Sequence, residues 1–305
     1  LGTSAGAMAV GETYFEQAHR DETKDQATRA HIYQPQVQAA ILGEACGIRT
    51  PAQIIANACA SGANAIGHAM QWLKTGRAEA AIAGGYDALA KLVFAGFDSL
   101  QALSTEDVPR PFDANRQGLA IGEGAALFVL ETRSHAEKRG AADRIIATVS
   151  GYGAATDIHH LTQPHPEGDA ALQSMTEACA MAGIAPSEIE YINSHGTGTP
   201  LNDIAEGRAI QRIAGDDVGS IAVSSTKASI GHLLGGAGAV EAAITVMALC
   251  EGFLPPTTTV VEPDEVCTFE LVREPTDRKI TTALTNSFGF GGANATVVLK
   301  REDKG

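Results

Sequence analysis

Three short apolar segments of this chain each end in a turn and then pass directly into a helical pattern. The segments are Pro51–Ala58, Ile189–Ile192 and Ile221–Val223. Short apolar runs bounded by turn residues are typical of buried strands, and apolar residues three or four positions apart are typical of helices. Strands that alternate with helices favour an α/β fold, which binds ligands at the carboxyl ends of its strands. Functional side chains are therefore expected at these three turns.

The first turn places Cys59 between an apolar run and a helical pattern over Ala60–Gly76. A helix N-terminus offers free N–H groups and the positive end of the helix dipole, and both favour the thiolate form of cysteine. The thiolate is the nucleophilic form, so Cys59 is a candidate nucleophile. Free cysteine is also among the most buried residue types, so a structural role is the alternative for this segment taken alone.

The other two turns each carry a histidine. His195 lies within Asn193–Pro200, ahead of a predicted helix, and His232 lies within Ser224–His232, ahead of a predicted helix that ends near Cys250. A lone histidine is usually a core or surface residue, but these two follow strands at the edge where α/β sheets bind ligands. The remaining histidines lack that setting and are predicted to have no catalytic role.

A fourth candidate segment is Asn286–Asn294, between the predicted strands Thr281–Thr285 and Ala295–Leu299. It sets Phe288 and Phe290 among three glycines. Such a loop can offer backbone N–H groups to an oxyanion while an aromatic ring closes the site. The pattern is not that of a phosphate-binding loop, because no Gly-Lys-Ser/Thr ending follows.

Together these segments resemble the β-ketoacyl-acyl carrier protein synthases, specifically the elongating condensing enzymes of the KAS I/II type with a Cys-His-His triad. The matching segments are Ala58–Gly62 for the nucleophile elbow, His195–Pro200 and Lys227–His232 for the two histidine motifs, Asn286–Asn294 for the gating loop, and Arg110–Asp113 with Gly122–Ala125 for a further block. The resemblance runs nearly end to end, and the motifs occur in the family's order.

The resemblance implies an α/β thiolase-like fold, with two duplicated halves stacked as α-β-α-β-α layers. The corresponding halves are residues 1–143, with the nucleophile, and 144–305, with both histidines and the gating loop. The chain begins at Leu1, inside what resembles the family's glycine-rich Gly-Thr-Ser segment. We therefore expect an N-terminally truncated chain whose N-terminal half is incomplete.

The resemblance also implies an acyltransferase that joins an acyl-enzyme thioester to malonyl-acyl carrier protein with loss of carbon dioxide, as in fatty acid elongation. Cys59 would carry the acyl group, and neutral His195 and His232 would donate hydrogen bonds to the enolate. The N–H groups of Cys59 and Phe290 would hold the oxyanion. Lys227, paired with Glu241, would orient the site.

Further roles follow from the same resemblance. Thr197 and Thr199 would bind the pantetheine arm, while Phe97, Phe288 and Ala5 would line the acyl channel. No metal or organic cofactor is required for this chemistry.

The net charge of −14 argues against nucleic acid binding. It also means that an acidic carrier protein would need local basic residues for docking. The candidates are Lys24, Arg29, Arg208 and Arg212.

The resemblance further implies a homodimer, with the predicted strand Ala52–Ala58 paired across the two-fold axis. Five cysteines without Cys-x-x-Cys spacing fit the cytoplasm, and no apolar run is expected to be long enough for a membrane span.

Three other functions compete with this one. A thiolase needs a second catalytic cysteine near the C-terminus, where this chain has Phe290-Gly291-Gly292, so that function is disfavoured. A non-catalytic subunit of the chain-length-factor kind would lack the nucleophile, and Cys59 argues against it. A standalone ketosynthase of a polyketide or polyene pathway keeps the same triad and remains the alternative.

Overall fold

Two β-sheets with helices between them organise the described residues, and a third sheet of two short strands accompanies them. The computed structural model describes residues 1–21, 27–48, 52–106 and 108–302. The helices in chain order are α1 (Met8–Asp21), α2 (Ala27–Tyr33), α3 (Pro35–Ala45), α4 (Ser61–Lys74), α5 (Lys91–Ser99), α6 (Arg133–Lys138), α7 (Asp169–Ala182), α8 (Pro200–Ala214), α9 (Lys227–Ile230) and α10 (Ala237–Glu251). The strands are β1 (Ala80–Asp87), β2 (Gly124–Glu131), β3 (Ala147–Thr156), β4 (Tyr191–Asn193), β5 (Ala222–Ser224), β6 (Phe253–Leu254), β7 (Glu270–Leu271), β8 (Thr276–Asp277), β9 (Thr282–Gly289) and β10 (Ala293–Arg301).

The larger sheet has the strand order β3-β10-β9-β4-β5-β7. Strands β3, β10 and β9 pair antiparallel, whereas β9, β4, β5 and β7 pair parallel. Nearly every residue of β9 and β10 is buried, as expected for central strands with helices on both faces. Because β4 and β5 are parallel neighbours, the turns after Asn193 and Ser224 lie side by side at one edge of the sheet.

The helices divide into two layers around this sheet. Helices α4 and α10 lie between the larger sheet and the smaller antiparallel sheet of β1 and β2, while α7 and α8 cover the opposite face of the larger sheet. In β2, Phe128 and Leu130 pack inward, but Leu127 and Val129 are 46% and 70% exposed. The described residues thus supply four of the five predicted layers, and the outer face of the smaller sheet is open.

The predicted strand before Cys59 is wrong. Pro51 lies outside the described residues, and Ala52–Ala58 forms no regular strand. One of its isolated bridges joins Ile55 to Gly2, with the N–H of Ile55 donating to the Leu1 carbonyl over 2.8 Å. The segment is exposed or half-buried, because within one chain its apolar residues have too few neighbours to form a central strand.

The prediction that no segment is long and apolar enough for a membrane span also needs correction. Residues Leu234–Glu251 reach that length, with a mean hydropathy of 1.4 over 18 residues. However, 67% of this segment is buried inside the protein, where α10 packs between the two sheets. Its composition is that of a core helix.

Candidate active site

A tight turn presents Cys59 at the start of α4. Ala58, just before it, has a φ of +47°, a backbone conformation that side chains other than glycine rarely adopt. The Ser61 hydroxyl holds the turn, because it donates to the Ala58 carbonyl over 2.6 Å and accepts from the Asn57 N–H over 2.8 Å. Cys59 is 7% exposed. The turn therefore fixes the sulfur in one place against the sheet edge.

The expectation that Cys59 favours the thiolate is not met in this structure. Burial raises the pKa of the Cys59 thiol to about 12, and the nearby charge of Lys227 lowers it only in part. Taking a thiolate out of water outweighs the attraction of a helix terminus and one lysine. Burial therefore favours the neutral thiol of Cys59 over its thiolate.

His195 and His232 lie against each other at the ends of β4 and β5. Their ring centroids are 5.2 Å apart and the ring planes are nearly perpendicular, while His195 also lies 5.7 Å from the ring of Phe288. Burial, followed by the charge of Lys227, lowers the pKa of both imidazoles well below the ordinary histidine value. Both rings are therefore neutral and each carries one N–H donor, as the predicted enolate role requires.

Lys227 and Glu241 form an ion pair beneath the histidines. The Lys227 ammonium donates to a Glu241 carboxylate oxygen, and both side chains are 1% exposed. Burial raises the pKa of Glu241 to about 7, although Lys227 lowers it. The pairing is the one predicted from the sequence, and it places a positive charge that disfavours protonation of both histidines.

Two buried carboxylates that the sequence analysis missed hold the His195 turn. Glu206 accepts the N–H groups of His195 and Gly196 over 2.8 and 2.7 Å, and an Asn286 amide N–H over 3.0 Å. Asp203 accepts the N–H groups of Thr197 and Gly198 over 3.1 and 3.2 Å. Both lie on the buried face of α8. The sequence signal that could have revealed them is the pair of acidic residues, three positions apart, on an otherwise apolar helix face. Buried carboxylates need hydrogen-bond donors, so such a pair predicts donors nearby.

The loop around Phe290 borders Cys59 directly. A Cβ atom built on Gly289 would lie 3.0 Å from the Cys59 nitrogen, so any larger residue there would crowd that N–H. The Phe290 side chain is 38% exposed, and its ring lies 5.8 Å from the ring of Phe97. The Gly291 N–H donates to the Leu161 carbonyl over 2.7 Å, which ties this loop to the segment after β3.

A cavity of about 320 Å³ joins most of the predicted site residues. Its lining includes Cys59, His195, His232, Thr197, Thr199, Phe97, Phe288 and Phe290. The hydroxyls of Thr197 and Thr199 lie 2.9 Å apart. Ala5 is not in this lining: it is buried elsewhere, and its N–H donates to Asp87 over 2.8 Å. Lys227 and Glu241 lie behind the cavity wall rather than in it.

The three basic docking candidates that the structure describes already have hydrogen-bond partners. Arg208 donates to Glu167 over 2.9 Å, and Arg212 donates to Asp169 over 2.6 Å. Arg29 donates to the Gln17 side chain, and Lys24 lies outside the described residues. The ion pairs neutralise the positive charge of Arg208 and Arg212, whereas the Gln17 amide leaves that of Arg29 in place. Over the described part of the chain, no group of three His, Cys, Asp or Glu side chains is placed to hold a metal ion.

Comparison with known proteins accounts for this arrangement. Residues 1–136 match the family pattern described as beta-ketoacyl synthase, N-terminal domain, and residues 146–261 match beta-ketoacyl synthase, C-terminal domain. The chain is 43% identical over 261 residues to 3-oxoacyl-[acyl-carrier-protein] synthase 2 of Coxiella burnetii, covering 83% of this chain and 63% of that protein. It thus spans about three fifths of the length of that relative and of several others.

Solved structures agree with the sequence comparison. The ishigamide ketosynthase/chain length factor superposes with a TM-score of 0.93 at 32% identity, covering 99% of this chain and 74% of that one. A type II polyketide synthase acyl-carrier protein in complex with its ketosynthase, AntDE:AntF, gives a TM-score of 0.88 at 30% identity, covering 92% and 71%.

Proposed function

This chain belongs to the β-ketoacyl-acyl carrier protein synthase family, and we propose that the protein joins an acyl group to malonyl-acyl carrier protein by decarboxylative condensation. The family and the thiolase-like fold expected from the sequence are confirmed. The observation that carries the proposal is the shared cavity, which brings a buried cysteine and two neutral histidines to one edge of the larger sheet.

In the first step, Cys59 attacks the thioester of an acyl group on the carrier protein and takes the acyl group. The oxyanion lies near the Cys59 N–H, which Gly289 leaves unobstructed, and near the Phe290 N–H. The pantetheine thiol leaves with the carrier protein. Because Cys59 starts as a neutral thiol, its proton must leave during the attack, and the leaving thiolate is a suitable acceptor.

In the second step, malonyl thioester loses carbon dioxide and becomes an enolate. The neutral imidazoles of His195 and His232 donate hydrogen bonds to the enolate oxygen, which stabilises the developing negative charge. The enolate carbon then attacks the acyl group on Cys59, and the Cys59 thiolate leaves. The product is a β-ketoacyl thioester two carbons longer, formed without a metal or an organic cofactor.

Intact-mass measurement tests both steps. The protein is incubated with acyl-carrier proteins that bear different acyl chains, and then with malonyl-carrier protein. We expect an acyl mass on the protein after the first addition, its loss after the second, and a β-ketoacyl carrier protein as product. Acylation without any condensed product would contradict the proposal.

The partner in this proposal is an acyl carrier protein, as in the AntDE:AntF complex. Arg208 and Arg212 contribute little to docking in this proposal, because Glu167 and Asp169 neutralise them. Exposed apolar side chains at the cavity mouth are better placed for contact: Leu161 is 74% exposed and Leu100 is 53% exposed. The cytoplasm remains the predicted compartment, although some relatives are mitochondrial by name.

A homodimer is the proposed assembly. The Ala52–Ala58 segment lies at an open edge beside the nucleophile, and α5 exposes Leu92 and Phe94 by 60% and 57%. Pairing of two such segments across a two-fold axis would complete the strand that the single chain lacks. Sedimentation that finds an active monomer at the assay concentration would contradict this assembly.

A standalone ketosynthase of a polyketide or polyene pathway is the second candidate function. The ishigamide ketosynthase/chain length factor supports it through a TM-score of 0.93. The two functions share the condensation and differ in the acyl groups that are accepted. Product analysis with saturated, unsaturated and β-keto acyl chains separates them, because a fatty acid synthase would use only the saturated and simple unsaturated chains.

The gate prediction concerns Phe290. Gly289 and Gly291 flank it, so the loop can move with little steric hindrance and carry the ring away from Phe97. We expect Phe290→Ala to leave Cys59 alkylation close to wild type and to impair condensation or chain-length control. Condensation rate, product length and thermal melting are measured together. A lower melting temperature with proportionate loss of all activities would show that Phe290 is only a packing residue.

The pH prediction separates the thiol from the histidines. Because burial lowers the pKa of both imidazoles, they stay neutral, and decarboxylation by a variant without Cys59 should be flat between about pH 6 and 8. Because burial raises the pKa of Cys59 to about 12, its alkylation by iodoacetamide should increase up to about tenfold per pH unit over the same range. A decarboxylation profile that falls around the ordinary histidine pKa would contradict the neutral-donor role.

A further inference from the structure

A buried arginine, Arg116, donates hydrogen bonds to the loop that carries Thr197 and Thr199. The Arg116 side chain is 3% exposed. Its Nε donates to the Thr199 carbonyl over 3.2 Å, and one Nη donates to the Pro200 carbonyl over 2.9 Å. The other Nη donates to the Asp113 carbonyl over 2.7 Å and to Asp264 over 2.6 Å.

Asp203 binds the same loop from its other side. It accepts the N–H groups of Thr197 and Gly198, and it lies 3.7 Å from the Nε of Arg116. Burial raises the pKa of Asp203, and Arg116 is the largest influence that lowers it. Carbonyl groups of the loop therefore bond to the guanidinium, and N–H groups of the loop bond to the carboxylate.

The backbone of the loop has little freedom to adopt this shape without help. Gly198 has a φ of +81°, and a Cβ there would lie 2.9 Å from the Gly118 carbonyl oxygen. The planar fork of arginine reaches several acceptors in fixed directions, which the single ammonium of lysine cannot do. The two threonine hydroxyls are thereby held 2.9 Å apart at the cavity wall, with Thr199 itself at the start of α8.

We propose that Arg116 is a positioning residue for the second substrate. It fixes the Thr197 and Thr199 hydroxyls so that they can bind the amide-containing pantetheine arm of the malonyl thioester. The identity of the arm rests on the proposed function, whereas the role of Arg116 rests on its contacts. Arg116 does not touch the reacting atoms: it lies outside the cavity lining, on the far side of the loop.

The experiment compares Arg116→Lys and Asp264→Asn with Arg278→Lys as the matched control. Arg278 makes a similar two-pronged contact to Glu270, but it is outside the cavity lining and its side chain is 35% exposed. Two properties are measured for each variant. One is KM and kcat with malonyl-pantetheine at saturating acyl-enzyme; the other is the rate of Cys59 alkylation by iodoacetamide, read by peptide mass.

We expect Arg116→Lys to raise KM for malonyl-pantetheine about tenfold, the loss typical of one substrate hydrogen bond, with a smaller effect on kcat. Asp264→Asn should raise KM in the same direction by less. Alkylation of Cys59 should stay within about twofold of wild type, because that reaction uses no pantetheine arm. The control variant should change neither property.

Other outcomes overturn the inference. If Arg116→Lys does not fold, Asp264→Asn decides, since it removes one partner of Arg116 and leaves the loop contacts in place. An unchanged KM in the folded variants, or an equal fall in alkylation and turnover, means that Arg116 only supports the fold. Failure of the proposed function is distinct from both, because wild-type protein would then condense no malonyl thioester at all.

Discussion

Cys59→Ala should abolish condensation, because no acyl-enzyme can form without the sulfur. The methyl side chain of alanine fits the position, since Ala58 and Ala60 already flank it and the turn is held by Ser61 rather than by the sulfur. The variant should keep decarboxylation of malonyl thioester, because His195 and His232 remain in the cavity. Intact mass after incubation with acyl-carrier protein and carbon dioxide release are the two measurements.

Cys179→Ala is the matched control for this variant. Cys179 is also buried, at 3% exposed, and burial raises the pKa of its thiol to about 11, but it packs in α7 away from the cavity. Its loss should lower stability without removing the acyl-enzyme. An acyl mass that persists in Cys59→Ala, or that disappears in Cys179→Ala while the fold is intact, would place the nucleophile elsewhere.

His195→Ala and His232→Ala should each slow decarboxylation by about 10²–10³-fold, the usual loss for one preorganised hydrogen-bond donor. The two rings contact each other, so the double variant should lose less than the product of the single effects. Acylation of Cys59 should be retained in part in both variants, since the oxyanion donors are backbone N–H groups. Carbon dioxide release and acyl-enzyme formation are therefore measured separately.

His135→Ala is the control for the histidine variants. His135 lies outside the cavity lining and pairs with Glu131 over 2.6 Å on α6, so its loss should leave carbon dioxide release unchanged. Release at the wild-type rate from His195→Ala and His232→Ala would remove the enolate role. Equal loss of acylation and decarboxylation would instead indicate a general collapse of the site, which thermal melting would detect.

The sequence predicted which residues form the site, but not how their burial sets their protonation. Cys59, His195 and His232 could be placed together because each follows a strand or strand-like segment, and strand ends share one edge of a sheet. The protonation of Cys59 could not be predicted, since the desolvation that raises its pKa depends on distant residues packing over it. Glu206 was missed although its spacing from Asp203 on an apolar helix face was a signal, because its partners, the N–H groups of His195 and Gly196 and the Asn286 amide, meet it only in the folded chain.

In the fold, too, the elements that local sequence determines were predicted better than those that depend on distant residues. The helix start at Pro200 and the helix end near Cys250 were predicted within a residue or so, because local periodicity determines them. The strand predicted over Thr281–Thr285 instead continues to Gly289, and the last strand begins at Ala293, so much of the predicted loop Asn286–Asn294 is strand. The strand predicted over Ala52–Ala58 has the right composition but lacks a full partner in one chain. Strand formation depends on a neighbour, which local sequence does not specify.

The buried, neutral thiol of Cys59 has a consequence for chemical labelling of this protein. Electrophiles that need a thiolate in water should modify the exposed Cys46 before Cys59, even though Cys59 is the proposed nucleophile. Proteome-wide reactivity profiling should therefore rank Cys59 below Cys46. A probe that carries its electrophile on a thioester or pantetheine-like scaffold should reverse that order, because binding in the cavity would supply the proximity that bulk reactivity does not.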